Sequence, residues 1–351
     1  MIYRDKTKGK TKNKAKDNDK AKDNDMIHAV IDFGTNAVRL VVAEELSSRK
    51  IHILHRNRLV VRLGEGFGRE KKILSESLQR AVEAVRKFSA EAAELGAQKV
   101  RLVGTSAWRE AENRESARQL LYRETGLCVQ VISGEAEAKL TGYGVTRTLG
   151  FPQKNLIIVD IGGGSSEVIY FPPQGSPSFS SLPLGAVWLT EKFLPHDPPL
   201  DSEWEKMVTF CQSTIETSIP ASIPASIPTS VPSISPDPLM IFVGTGGTVT
   251  TLAALLQRQS VYDPDQINNS VISLTSLEEL SDQLCSMPVR EREKMCGMEK
   301  GRADIILAGA AILVTLMKVL KVGSLTLSDA GLPEGVIWHE ISPSPFLEEF
   351  S

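Results

Sequence analysis

Short runs of β-branched and aliphatic residues alternate along this chain with longer stretches whose apolar positions recur every three or four residues, the pattern of an α/β protein. Strand-like runs fall at Ile27 to Phe33, Val38 to Ala43, Ile51 to Arg62, Lys99 to Gly104, Val129 to Ser133, Leu156 to Val159, Val168 to Phe171, Leu239 to Val243 and Ser324 to Ser328. Ser75 to Leu95 places Leu78, Val82, Val85, Phe88 and Ala92 on one helical face, and Trp204 to Ile215 reads as a further helix. One helix is expected from Thr105 through Glu124 and another from Glu135 through Tyr143. Ala303 to Leu320 is apolar enough for a buried helix, and Pro333 suits the first turn of a final one.

Two strands end alike. Asn155 to Glu167, NLIIVDIGGGSSE, is an apolar run closing in Asp160 and breaking into Gly162, Gly163, Gly164 and Ser165 before the next strand. Such glycines free successive backbone N–H groups to point at an anion, although a flexible turn is the plain alternative. Ile27 to Asn36, IHAVIDFGTN, repeats the design with Asp32, Gly34, Thr35 and Asn36, which points to a duplicated fold. Because strands follow both turns, neither is a P-loop or a dinucleotide fingerprint. A third glycine loop, Gly244 to Thr248 (GTGGT), does lead into a helix, whose free N–H groups could hold a phosphate. Leu63 to Gly68, LGEGFG, lacks the ending of a Walker motif. Arg109 stands where a strand meets a helix and could reach a cleft or simply face solvent. Glu137, in a first helical turn, is either a carboxylate that complements the helix dipole or a general base.

Composition narrows the partners. The formal charge is −3, but residues 1–25 hold nine Lys or Arg against five Asp, so the remainder is net acidic and offers no nucleic-acid-binding surface. In the Lys/Asp-rich tail 1–25 the low-complexity residues 4–25 have nothing apolar to order them, and the Pro/Ser-rich repeats of 218–238 cannot continue a helix. Both are expected to be disordered. Cys128, Cys211, Cys285 and Cys296 form no CxxC pair and indicate neither zinc nor disulfides. No apolar run reaches membrane-spanning length and no apolar leader precedes Met26, so no membrane contact and a cytoplasmic location are expected.

The ordered set IDFGTN, GTSAWREAEN, VISGEAEAKL, VDIGGGSSE, GTGGT and SDAGLPEG resembles the exopolyphosphatase and guanosine pentaphosphate phosphohydrolase (Ppx/GppA) family in its short form, over Met26 to about Glu340. The resemblance implies two RNase-H-like domains of the actin-like ATPase and sugar kinase superfamily facing across a cleft. They would occupy 26–144, completed by the C-terminal helix 333–351, and 145–332, with 218–238 inserted in the second. It implies removal of terminal phosphate from polyphosphate or guanosine pentaphosphate with Mg²⁺, and a homodimer. By position, Glu137 matches the glutamate that activates water and Arg109 a phosphate-contacting arginine. Asp160 and Glu167 match the acids at the metal. Gly162, Gly163, Gly164 and Ser165 match one phosphate turn and Asp32, Gly34, Thr35 and Asn36 the other. Gly244, Thr245, Gly246, Gly247 and Thr248 match the third loop. A catalytically weak sensor of polyphosphate or alarmone and an actin-like ATPase or kinase are the alternatives. The sequence departs from the family at Pro333, where an arginine is usual, which removes a cation from the cleft. Ala136, Lys139 and Ala37 also depart, without removing the proposed base.

Overall fold

The computed structural model describes residues 26–46, 50–153, 155–219, 223 and 240–347. The expected tail 1–25 lies outside them, as does the Pro/Ser-rich stretch apart from Ser218, Ile219 and Ile223.

Ile27–Phe33 (β1), Ala37–Leu46 (β2) and Lys50–Val60 (β3) form an antiparallel meander. Phe67–Glu70 (α1) and Ser75–Glu94 (α2) follow, then Lys99–Gly104 (β4), which pairs parallel with β1. Ser106–Glu110 (α3) and Arg114–Thr125 (α4) lead to Val129–Val131 (β5), and the sheet order is β3-β2-β1-β4-β5. β1 is buried over all but its first residue because it sits at the sheet centre with both faces covered, hence its unbroken apolar run. The single helix expected from Thr105 to Glu124 is in fact two. Ala111 is extended between them, and the Asn113 side chain fixes the break by accepting from Ile73 N–H at 2.9 Å and donating to Ile73 O at 2.9 Å.

Gly134–Leu149 (α5) crosses to the second sheet, where Leu156–Ile161 (β6), Ser166–Phe171 (β7) and Ser178–Leu182 (β8) repeat the meander. Ala186–Phe193 (α6) and Asp201–Ser218 (α7) precede Ile241–Thr245 (β9), Gly246–Leu256 (α8), Pro264–Ile267 (α9) and Val271–Ser273 (β10). Leu274–Ser286 (α10), Val289–Arg292 (α11), Ile306–Val319 (α12), Ser324–Leu327 (β11) and Leu332–Ile341 (α13) complete the chain. The order is β10-β11-β9-β6-β7-β8. Without its edge strand β10, this sheet has the order and directions of the first, so the duplication read in the two aspartate turns extends to the whole sheet. The protein is thus a two-domain α/β fold of the actin-like ATPase type.

Each sheet packs an apolar core with its own helices, while α5 lies between them: Leu140 faces Val30 and Val103 of the first sheet, and Ala138 and Val145 face Ile158 and Ile169 of the second. α13 returns to pack on α5, β1 and β2. The two helices meet backbone to backbone, since a Cβ on Gly335 would fall 1.9 Å from the Leu140 carbonyl oxygen. No helix among the described residues is long and apolar enough to cross a membrane.

Near the end of α13, the half-buried Glu340 accepts from Arg101 Nε at 2.6 Å and contacts His28 Nδ1 at 2.9 Å, with Lys99 Nζ at 3.3 Å. Burial opposes its charge, but the His28 and Arg101 hydrogen bonds and the Lys99 field outweigh it and hold the carboxyl down at about 2. A depressed acid stabilises the fold above its ordinary value and ceases to do so as pH falls through the folded one. Glu340→Gln should therefore lower unfolding stability near neutral pH by about 1 to 2 kcal/mol, because solvent screens part of what the shift implies. The deficit should shrink as pH falls from 4.5 toward about 2, as denaturant melts at several pH values will show.

Candidate active site

The C-terminal ends of parallel strands from both sheets open on one cleft of about 560 Å³, the position that open α/β sheets use for ligands. β1 supplies Asp32 and the turn Gly34 to Asn36, β4 supplies Thr105 and Ser106, and the helix after β5 supplies Glu137. β6 supplies Asp160 and the turn Gly162 to Ser165, β7 supplies Glu167, and Gly246 and Gly247 begin the helix after β9.

The two hairpin turns are built alike. Gly34 N–H donates to Ala37 O and Gly162 N–H to Ser165 O, each at 3.0 Å. Strand register then sets Asp32 opposite Arg39 and Asp160 opposite Glu167, so one aspartate meets a cation and its counterpart an acid. The turns confront each other closely. A Cβ on Gly164 would lie 2.4 Å from Ser106 Oγ and 2.7 Å from Thr35 Oγ1, so only glycine fits there. Among the described residues, none accepts a hydrogen bond from the backbone N–H of Thr35, Gly163 or Gly164, leaving these donors for a ligand.

Glu137 owes its position to Ser133, which caps α5 by accepting from Ala136 N–H at 3.1 Å. Arg109 Nη1 donates to Glu137 Oε2 at 2.5 Å and to Ile132 O at 3.2 Å, while Nη2 reaches Ser165 Oγ at 3.5 Å. Burial pushes the Glu137 carboxyl up to about 7 against the pull of Arg109, and the charges of Asp32 and Asp160 add to the rise. Glu167 is raised well above the usual carboxylate range by burial and by the Glu137 and Asp160 charges. Its Oε1 accepts from Ser165 Oγ at 2.9 Å and Ser181 Oγ at 2.8 Å. Asp160 is also raised by burial, with Arg39 opposing. Arg39 donates from Nε and Nη2 to Asp32 Oδ2 at 2.8 and 2.6 Å, yet Asp32 Oδ1 and Asn36 Nδ2 are buried without partners.

The cleft therefore gathers Asp32, Gly34, Thr35, Asn36, Glu137, Asp160, Gly162, Gly163, Gly164, Ser165, Glu167, Gly246 and Gly247, with Arg109 reaching it through Glu137. Three members of the GTGGT loop do not face it. Gly244 backs onto Leu325 and Val249, Thr245 Oγ1 donates to Ala330 O at 2.7 Å, and Thr248 packs beneath Gly309 of α12. In that loop only the helix-opening glycines Gly246 and Gly247 reach the ligand side, because the residues on either side of them are engaged with the core.

Two cleft cations escape sequence reasoning. Arg39 was legible in principle, because Asp32 and Arg39 have the same seven-residue separation across a turn as Asp160 and Glu167. Arg302 comes from a segment with no periodic signal. Glu299 holds it and also binds Arg58 Nε at 2.5 Å. Pro333 does not line the cleft: it lines an adjoining pocket of about 370 Å³ with Arg56, whose Nη2 lies 3.0 Å from Glu334 Oε1.

Four carboxyls, Asp32, Glu137, Asp160 and Glu167, share the cleft with three guanidiniums, those of Arg39, Arg109 and Arg302. No three acidic, His or Cys side chains among the described residues are grouped closely enough to hold a metal on their own. A hard divalent ion that keeps waters and takes phosphate oxygens needs only one or two carboxylates. The orphaned Asp32 Oδ1 and the raised Asp160 and Glu167 suit such a cation, whose charge would relieve their mutual repulsion.

Comparison with known proteins agrees with this geometry. The model of the Ppx/GppA phosphatase family matches residues 41–343. Exopolyphosphatase 2 of Mycobacterium tuberculosis is 30% identical over 320 residues, covering 88% of this chain and 96% of its own. The crystal structure of the Aquifex aeolicus Ppx/GppA family member is 29% identical, with a TM-score of 0.71 over 90% of this chain and 97% of that one. An exopolyphosphatase structure from Cytophaga hutchinsonii is 26% identical, with a TM-score of 0.79 over 92% of this chain and 99% of that one.

Proposed function

Because the chain belongs to the Ppx/GppA phosphatase family and is a phosphatase of the exopolyphosphatase type, we propose that it hydrolyses the terminal phosphoanhydride of inorganic polyphosphate, of guanosine pentaphosphate or of both. The observation that carries this reading is the placement of Glu137, which lines the cleft, is held by Arg109 at 2.5 Å and shares that cleft with two turns whose N–H groups are free for an anion.

Phosphoryl transfer asks little covalent chemistry of a protein and depends on aligning water and stabilising charge. Glu137 Oε1, the oxygen that Arg109 does not hold, accepts the proton of the attacking water. Arg109 fixes that carboxylate and extends toward the Ser165 turn, where it meets charge on the transferred group. The N–H groups of Thr35, Gly163 and Gly164 donate to the phosphate oxygens in a site already free of competing protein acceptors. Asp160 and Glu167 would hold Mg²⁺, which when bound would supply positive charge to the phosphate oxygens.

A side-by-side phosphate-release assay on polyphosphate, guanosine pentaphosphate and ATP tests the reading. Release is expected from at least one of the first two, with ATP left intact, and EDTA should abolish it. Turnover of ATP alone would overturn the proposal.

A further inference from the structure

The glycine-rich stretch Leu63 to Gly68, with Val61 and Arg62 leading into it, contributes nothing to the cleft lining, yet it touches both domains. Toward the N-terminal one it braces the first phosphate turn from behind. Val61 and Arg62 N–H donate to Asn36 O at 3.0 and 2.8 Å, and Gly64 N–H donates to Thr35 O at 2.8 Å. Toward the C-terminal domain it is gripped by α6: Gly66 N–H donates to Glu191 Oε1 at 2.8 Å and Gly68 N–H to Glu191 Oε2 at 3.1 Å. The start of α6 meanwhile holds the second phosphate turn, with Ala186 N–H on Gly162 O at 3.0 Å and Val187 N–H on Gly163 O at 2.9 Å. One short helix thus carries a direct grip on one turn and, through Glu191, a grip on the loop behind the other.

We propose that Glu191 is a positioning residue whose carboxylate clasps the two domains and sets the separation of the two phosphate turns. The proposal rests on reading those turns as the phosphate cradle. Both carboxylate oxygens are used, and N–H bonds to an ionised acceptor are stronger than neutral ones. Neither near relative reproduces this: Gln presents an NH₂ to one of the two N–H groups, and Asp is a methylene short. The clasp does not carry the whole interface. Arg58 with Glu299 and Arg62 with Asp304, at 2.5 and 2.7 Å, tie the same domains elsewhere. Losing Glu191 therefore loosens the spacing of the turns without separating the domains.

Glu191→Gln should raise KM for polyphosphate with Mg²⁺ about tenfold, the effect of losing one charge-assisted hydrogen bond, with kcat changed much less and the melting temperature held. Substrate then has to draw the turns together itself. A double variant re-makes the clasp covalently, because a Cβ on Gly68 lies 3.7 Å from Glu191 Cβ, within disulfide range. In Gly68→Cys/Glu191→Cys the reduced protein should show the raised KM and the oxidised protein a KM near wild type; Gly68→Cys alone controls for the native thiols. A wild-type KM in Glu191→Gln, or no KM difference between oxidised and reduced double variant, overturns the proposal. Two readouts need no turnover: ready closure of the disulfide, and faster amide exchange at Thr35 and Asn36 in Glu191→Gln than in wild type. If no phosphate is released from any substrate while these two appear, the functional reading fails and the clasp stands. If neither appears, the clasp fails whatever the activity.

Discussion

Glu137→Gln should lower phosphate release by about three orders of magnitude, the usual range for loss of a positioned general base. The replacement is nearly isosteric, and its amide oxygen can still accept from Arg109, so the cleft should keep its shape. What disappears is the capacity to take a proton from water. Wild-type turnover by this variant would sink the assignment of the base. The same residue sets the sign of the pH profile. A base works only when ionised, so kcat/KM should climb with pH and then level off, with the limb at about 7 in the metal-free protein and lower where a divalent cation is bound. Arg109 now pulls the Glu137 carboxyl down against its burial, so Arg109→Met should move the limb to higher pH as well as slow the reaction. A bound divalent cation favours the charged form and moves the limb down, never up. A limb that shifts downward in Arg109→Met would count against the pairing.

The charge pattern of the cleft makes sense of these expectations together. Carboxylates crowded in a buried site repel one another, and Glu137, Asp160 and Glu167 are all raised, each first by burial. A polyanion could not join them unaided. Arg39, Arg109 and Arg302 offset part of that field, and a divalent cation held by the acids would turn the site toward phosphate. Catalytic base and metal ligands are thus one electrostatic system, in which each acid's ionisation depends on what the others bind.

Much of this was readable from the chain. The strand, aspartate and glycine order at Asp32 and Asp160 foretold two matching hairpins, because a buried central strand needs a continuous apolar run and a tight polar turn needs glycine. The close contacts were not readable. Glu191 and Gly66 are 125 residues apart, and nothing local marks either as the other's partner. Arg302 lies in an irregular segment whose direction is decided by Glu299 and Arg58. The GTGGT string treats its members alike, whereas the strand-to-helix geometry turns Gly244, Thr245 and Thr248 inward and leaves Gly246 and Gly247 to the cleft. The break at Asn113 is likewise a tertiary effect: the segment before it is helix-compatible, and the hydrogen bonds to Ile73 decide the matter. Periodicity reports which face is buried, and it is silent on which side chains cross from one domain to the other.

Gly164→Ala should lower kcat/KM by about a hundredfold in a protein that still folds, the penalty expected when reacting groups are displaced by an ångström or so. The added methyl would stand 2.4 Å from Ser106 Oγ and 2.7 Å from Thr35 Oγ1, distances that no Cβ tolerates. Gly164 sits on the cleft wall rather than in either core, so the strain is relieved by moving the second turn away from the first, and thermal melts should show only a small loss. Sterics and lost polarity can be told apart. Ser106→Ala removes the nearest clashing atom while leaving Thr35 in place, so the double variant should recover roughly tenfold of the loss, a non-additivity expected only of groups in contact. Additive effects in that cycle would mean that the turns do not approach each other in solution as closely as Gly164 requires, and near-wild-type activity in Gly164→Ala would mean that their spacing does not govern the reaction.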